Sequence, residues 1–129
     1  MLGQARVLVN LSAPDLDEAA AFYEQRLGLP LELRHEPMPG HPELRFTTGG
    51  ATLCLTRGEP PQPQSKELVS FKVDDVDAAV RDLRSRGVTF EEYDLPSVKA
   101  VEGLAAIGGY RAAWFTDSGG NLFGVFEEG

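Results

Sequence analysis

Asp15-Leu16-Asp17-Glu18-Ala19-Ala20 and Asp75-Val76-Asp77-Ala78-Ala79-Val80 are two versions of one segment, set sixty residues apart. In each, an aspartate stands directly before an apolar run, the place where a carboxylate can accept from the free N–H groups of a first helical turn. Leu16, Ala19, Ala20, Tyr23 and Leu27 recur at helical spacing, as do Val76, Ala79, Val80 and Leu83. Glu18 follows Asp15 by three positions, the spacing of a capping box. Gly28 and Gly87 stand where the two helices should stop.

Strand patterns surround both copies. Residues 6–12 put Val7, Val9 and Leu11 on one face and Leu8, Asn10 and Ser12 on the other, because strand side chains alternate. Residues 68–73 do the same, with Val69, Phe71 and Val73 against Leu68, Ser70 and Lys72. After the first helix come strands over 30–35, 43–47 and 51–56, the last two joined across Gly49-Gly50. After the second come a strand over 88–93, a loop-like stretch over 94–109, and a hairpin of 110–116 with 121–127 across Asp117-Ser118-Gly119-Gly120. Residues 59–65 hold three prolines among polar residues and read as a linker.

The expected architecture is a single α+β domain over 1–129. Its first βαβββ module spans about 1–58, the linker 59–65, and the second module about 66–129. Each helix stripe covers one face of its sheet. The uncovered faces of two such modules can form an open, cup-shaped mixed sheet, and duplication is therefore a reason to expect a pocket between the halves.

The chain's 129 residues suit one domain, and 42% hydrophobic with 25% charged residues is ordinary for a globular protein. The net charge of −8 divides into −2 over residues 1–58 and −6 over 59–129. No basic stripe exists, which argues against nucleic acid or an anionic membrane as partner. Cys54 stands alone, so no internal disulfide and no zinc knuckle can form. The first residues lack the apolar core of a secretion leader, and no apolar run nears the ~20 residues a bilayer span needs. The expected location is cytoplasmic.

Larger matches tie these patterns to a family. Asp15-Leu16-Asp17-Glu18-Ala19-Ala20-Ala21-Phe22-Tyr23, running on to Leu27-Gly28-Leu29, resembles the first helix of glyoxalase, bleomycin-resistance and extradiol-dioxygenase proteins, the vicinal-oxygen-chelate superfamily. Phe71 to Val80 resembles its second helix entry. Trp114-Phe115-Thr116-Asp117-Ser118-Gly119-Gly120-Asn121-Leu122 resembles its closing hairpin, with Ser118 where proline is common. Thr89 to Pro96 and Arg111 to Phe115 resemble a bacterial, glyoxalase-like subgroup of undefined function. The resemblance covers almost the whole chain and implies the duplicated fold and a homodimer.

It also implies one divalent metal, held by His, Gln or Glu at four inward strand positions. Here those positions carry Leu8, Cys54, Leu68 and Gly124. Leucine and glycine side chains offer no lone pair, and one thiolate does not make the three protein ligands of a catalytic site. No cofactor is therefore expected, and a divalent metal would need a rearranged site. His35 and His41, the only histidines, read as surface residues around a loop over 35–42.

The expected pocket wall comprises Leu8, Asn10, Cys54, Leu68, Ser70, Lys72 and Gly124, joined by Arg45 and Trp114. Tyr93 and Tyr110 flank the long loop that would cover the mouth. A mostly apolar wall with a few polar heads suits a small organic ligand. Cys54 reads as a small buried hydrophobe; as a nucleophile it would need a cation such as Lys72 to lower its pKa, and no histidine is placed to act as its base. Lys72 reads as a solvent-seeking strand-end residue, or else as an anion-binding or Schiff-base lysine. Asn10 and Ser70 hold related places, able to bond a ligand carbonyl or each other. Trp114 is either core or a stacking platform.

Three functions fit. The first is a metal-free protein binding a small aromatic or antibiotic-like compound. The second is a glyoxalase-like lyase, isomerase or thiol-conjugating enzyme with no metal or a rearranged site. The third is an accessory protein with a vestigial cavity. All three exclude nucleic acid and membrane as partners and include a homodimer.

Overall fold

Both aspartates cap as their spacing requires. Asp15 accepts from the Glu18 N–H and Asp75 from the Ala78 N–H, each at 3.1 Å. The computed structural model in which they do so describes residues 1–62, 64, 66–91, 100–101, 104–107 and 110–128. Helix α1 runs Leu16–Ala21 and widens into a π-type turn over Phe22–Arg26, while α2 runs Val76–Ser85. Gly28 (φ 70°) and Gly87 (φ 92°) follow them in the left-handed region, which a residue with a Cβ enters only under strain.

The chain divides into two units. The first is Met1–Gln62 with Ser118–Gly120, and the second is Pro63–Asp117 with Asn121–Gly129. The first unit holds β1 (Leu8–Ala13), β2 (Leu31–Met38), β3 (His41–Thr47) and β4 (Thr52–Arg57) in the order β1-β4-β3-β2. The second holds β5 (Val69–Lys72), β6 (Ala100–Val101), β7 (Leu104–Ile107), β8 (Tyr110–Thr116) and β9 (Leu122–Glu128) in the order β5-β9-β8-β7-β6. In each sheet the first strand pairs parallel with the last, and the remaining pairs are antiparallel. The expected α+β class is thus present, with one mixed sheet and one helix in each unit.

Each core lies on the helix side of its sheet. Leu11, Leu44, Phe46, Leu53 and Leu55 are buried there in the first unit, and the Tyr23 ring of the helical segment lies 5.1 Å from that of Phe46. In the second unit Val76 and Val80 of α2 are buried, as are Ala113, Phe115, Phe123 and Val125, with the Phe115 and Phe123 rings 5.4 Å apart. Arg111 on β8 donates to both carboxylate oxygens of Asp77 on α2, and Glu127 accepts from the Val76 N–H. The β8–β9 turn is closed by buried polar groups: Asp117 accepts from the Asn121 backbone N–H at 2.8 Å and from its side-chain amide at 2.9 Å. This is the physical reason for an Asp and an Asn four residues apart in that hairpin.

Three expectations need correction. Val7 is exposed, and β1 begins only at Leu8. No strand runs over 88–91; Val88 and Phe90 are buried, and the one pairing there is a bridge from Phe90 to Phe115. The place beside β8 is taken by β7, which falls in the stretch that reads as loop; residues 92–99, 102–103 and 108–109 lie outside the described ones. The apolar alternation at Val88 and Phe90 serves packing, with the Phe90 ring edge-on to Phe115 at 5.6 Å. Leu104-Ala105-Ala106-Ile107 carries no alternation, and only the waiting edge of β8 makes it a strand.

The two caps should contribute alike. Asp15→Ala and Asp75→Ala are each expected to lower stability by about 1 kcal/mol, read as a fall in the urea midpoint at constant slope. An unchanged midpoint in either variant would mean that its helix start is held by packing alone.

Candidate functional site

The sheet faces turned away from the helices carry the candidate chemistry, and strand register fixes what stands beside what. In the first sheet Asn10, Cys54 and Arg45 form one row across β1, β4 and β3. Leu8, Thr52 and Thr47 form the row to one side, and Ser12, Thr56 and Glu43 the row to the other, with His35 of β2 opposite Glu43. In the second sheet the equivalent row is Ser70, Gly124 and Trp114 across β5, β9 and β8, followed by Lys72, Phe126 and Ala112. The duplication therefore matches Asn10 with Ser70, Cys54 with Gly124 and Arg45 with Trp114.

The second-sheet row borders a half-open concavity of about 330 Å³, lined by Glu67, Ser70, Ala112, Trp114, Gly124 and Phe126, with Val125 behind them. Sites for small molecules begin at about 300 Å³. A Cβ built on Gly124 would meet Glu67 Cγ, Ser70 Oγ and Trp114 Cδ1, each at 3.5 Å. Those are ordinary contacts, so the glycine keeps space open without being required by the backbone. Leu8, Asn10, Arg45 and Cys54 belong to the first unit, and two expected wall residues of the second unit also stand outside this lining. Lys72 lies 3.7 Å from Glu128 with its side chain 64% exposed, because a strand-end ammonium gains more from water and a carboxylate than from an apolar wall. Leu68 is exposed, just before β5. Tyr93 lies outside the described residues, and Tyr110 is exposed at the start of β8. Ala112 and Phe126 escaped the sequence reading although both follow from it, since each sits two residues along its strand from Trp114 or Gly124.

The first-sheet row is charged. One oxygen of Glu43, Oε1, takes the Nε–H of Arg45 at 2.8 Å and meets His35 Nε2 at 2.6 Å. The Glu43 side chain is only 16% exposed. Its carboxyl is held below the ordinary glutamate range, chiefly by the hydrogen bond to His35; burial works against this and Arg45 adds to it. Arg45 is held more firmly protonated by the Glu43 hydrogen bond. Cys54 is 1% exposed, and burial pushes its thiol up; Glu43 adds to this, and the opposing pull of Arg45 is smaller. The thiol stays protonated near neutrality and is no activated nucleophile.

His35 is a strand residue and not a loop one. His35 is on β2, whose pairing extends to Met38, and it faces the same side as Glu43 and Arg45 rather than lying in a loop. Pro37 is tolerated there because β2 is an edge strand, where a missing N–H costs no ladder bond. His41 is exposed and opens β3.

A family-type metal does not fit the side chains at its positions. Leu8, Leu68 and Gly124 offer no donor. Cys54 offers a protonated thiol beside the fixed cation of Arg45, where a divalent ion would be repelled. Among the described residues no group of three or more His, Cys, Asp and Glu side chains is gathered to hold a metal. Among them, too, no helix is long and apolar enough to cross a membrane.

The model of the Glyoxalase/Bleomycin resistance protein/Dioxygenase superfamily matches residues 5–125. No curated protein sequence matches the chain. Among solved structures, UcmS2 is similar with a TM-score of 0.74 and 20% identity, covering 95% of this chain and 98% of that one. The antibiotic binding protein TnmS3 from Streptomyces sp. CB03234 gives 0.67 and 23%, covering 100% and 99%. The fosfomycin resistance protein FosX from Listeria monocytogenes, in complex with Mn(II) and sulfate, gives 0.71 and 16%, covering 100% and 95%. At these identities the likeness is one of fold.

The lowered Glu43 pKa fixes the sign of a pH effect. A carboxyl whose folded pKa lies below its ordinary 4.5 adds stability that is present above that value and is lost as pH falls through the folded pKa. Glu43→Gln should therefore be less stable than the parent at pH 7, with a gap that narrows below pH ~4.5 when urea midpoints are followed down to pH ~3. A gap constant over that range would show that the carboxylate's charge contributes nothing.

Proposed function

The chain belongs to the Glyoxalase/Bleomycin resistance protein/Dioxygenase superfamily, and from that we propose that it is a binding protein for a small aromatic or antibiotic-like compound, held without a resident metal. The observation that carries this reading is the concavity of about 330 Å³ beside Trp114. A half-buried indole offers a flat apolar surface on which a ring gains stacking beyond its buried area. Gly124 leaves the floor free, Phe126 and Ala112 continue the apolar wall, and Ser70 and Glu67 supply the polar ends. A ligand fitting this lining has an aromatic body and a hydrogen-bond donor facing Glu67 or Ser70.

The antibiotic-binding description of TnmS3, which shares this fold, supports the ligand class. The metal-free part rests on donor chemistry: the family positions hold Leu8, Cys54, Leu68 and Gly124, and the sulfur among them is a buried, protonated thiol. The resemblance carries a homodimer with it.

Trp114 is the only tryptophan, so its fluorescence reports the concavity directly. Titration with a panel of planar aromatic compounds should give saturable quenching by at least one. Gly124→Ala should keep stability within about 1 kcal/mol and weaken that compound several-fold. No saturable response across the panel, or an unaltered affinity in Gly124→Ala, would remove the concavity as the site. Native mass spectrometry with metal analysis should return a dimer free of stoichiometric metal; one divalent ion per chain would overturn the metal-free part.

A further inference from the structure

The face of the first sheet has the parts of a receptor of different chemistry. A guanidinium carries five N–H donors in a flat fork. In Arg45 the Nε–H is taken by Glu43 and the guanidinium also hydrogen-bonds the Cys54 sulfur, while among the described residues no second oxygen meets it. The side chain is 31% exposed, so the fork is turned partly out of water but remains reachable. Asn10, in the same row, is exposed, and its amide makes no side-chain hydrogen bond among the described residues. One row away on the same face, Thr52 is 1% exposed, and its hydroxyl has no partner among the described residues. Folded proteins seldom leave a buried hydroxyl unmatched.

We infer that this face binds the carboxylate of a ligand, end-on to the terminal fork of Arg45, with the Asn10 amide donating to the same group. The hydrogen bond to Glu43 serves this by orientation. Holding Arg45 by its Nε edge leaves the two terminal nitrogens side by side, the geometry that meets both oxygens of a carboxylate. His35 holds the same Glu43 oxygen from the other side, so Glu43 and His35 are positioning residues. Local charge sets the class further. Glu43 balances Arg45, and the charge of Glu32, itself paired with Arg6, is also felt there. A planar monoanion is accepted for its two directed bonds, whereas a phosphate dianion meets more repulsion than it gains.

The test uses a ring-saturated acid, so that it does not depend on the Trp114 concavity. ¹⁵N-labelled protein at pH 7 is titrated with cyclohexanecarboxylate and, separately, with cyclohexanecarboxamide as the neutral isostere, following the Arg45 Nε–H and Trp114 indole N–H resonances. The expected result is a saturable shift at Arg45 with the acid, at least about tenfold weaker binding of the amide, and a similar loss in Arg45→Lys, which keeps the charge and removes the fork. Asn10→Asp, at an exposed position, should abolish acid binding while leaving the spectrum folded. Equal binding of acid and amide, an unchanged affinity in Asn10→Asp, or no saturable shift at Arg45 would each overturn the assignment. A shift confined to the Trp114 indole would do the same, moving the carboxylate to the second sheet.

Discussion

Each unit has one helix and one sheet, and a strand's side chains alternate; nearly everything else follows from that pair of facts. The helix covers a single sheet face. Leu44, Phe46, Leu53 and Leu55 in one unit, and Phe115, Phe123 and Val125 in the other, are committed to that covered face and are buried. The intervening residues must then face the other way whatever their chemistry. They are the positions at which sequence can change without unmaking the core.

The duplicated rows use that freedom in opposite ways. Where the first sheet sets Asn10, Cys54 and Arg45, the second sets Ser70, Gly124 and Trp114. One row is polar and charged, anchored by a carboxylate that two other side chains share. The other is aromatic with an open floor. The positions that the family resemblance gives to a metal carry Leu8, Leu68, Gly124 and Cys54, whose thiol is kept protonated by burial. The family fold persists while the chemistry on its free faces diverges, which is why the fold by itself is weak evidence for a reaction.

The features legible in the sequence were those set by neighbours along the chain. The two caps, the helix stops at Gly28 and Gly87 and the closing hairpin are all local statements, and the structure carries them. The misread features depend on partners far away in sequence. Leu104 to Ile107 becomes a strand because β8 offers it an edge, and Val88 to Phe90 is not one because its side chains are used in packing. His35 falls in a stretch that reads as loop, yet β2 extends through it as an edge strand, which tolerates Pro37, and brings the imidazole to Glu43.

By itself, then, the sequence determined the duplicated α+β design and which side chains share a sheet face, because period, capping and turn chemistry act over a few residues. The family resemblance puts Leu8, Cys54, Leu68 and Gly124 at the usual metal positions, and that three of these side chains carry no donor is a matter of residue identity. Only the tertiary structure decided which strands pair and which of those side chains meet. It joined His35, Glu43 and Arg45 through one oxygen, sent Lys72 to Glu128, and opened a concavity between Trp114 and Gly124. Those outcomes rest on cross-strand register and burial, which bring together residues that no local pattern along the chain relates.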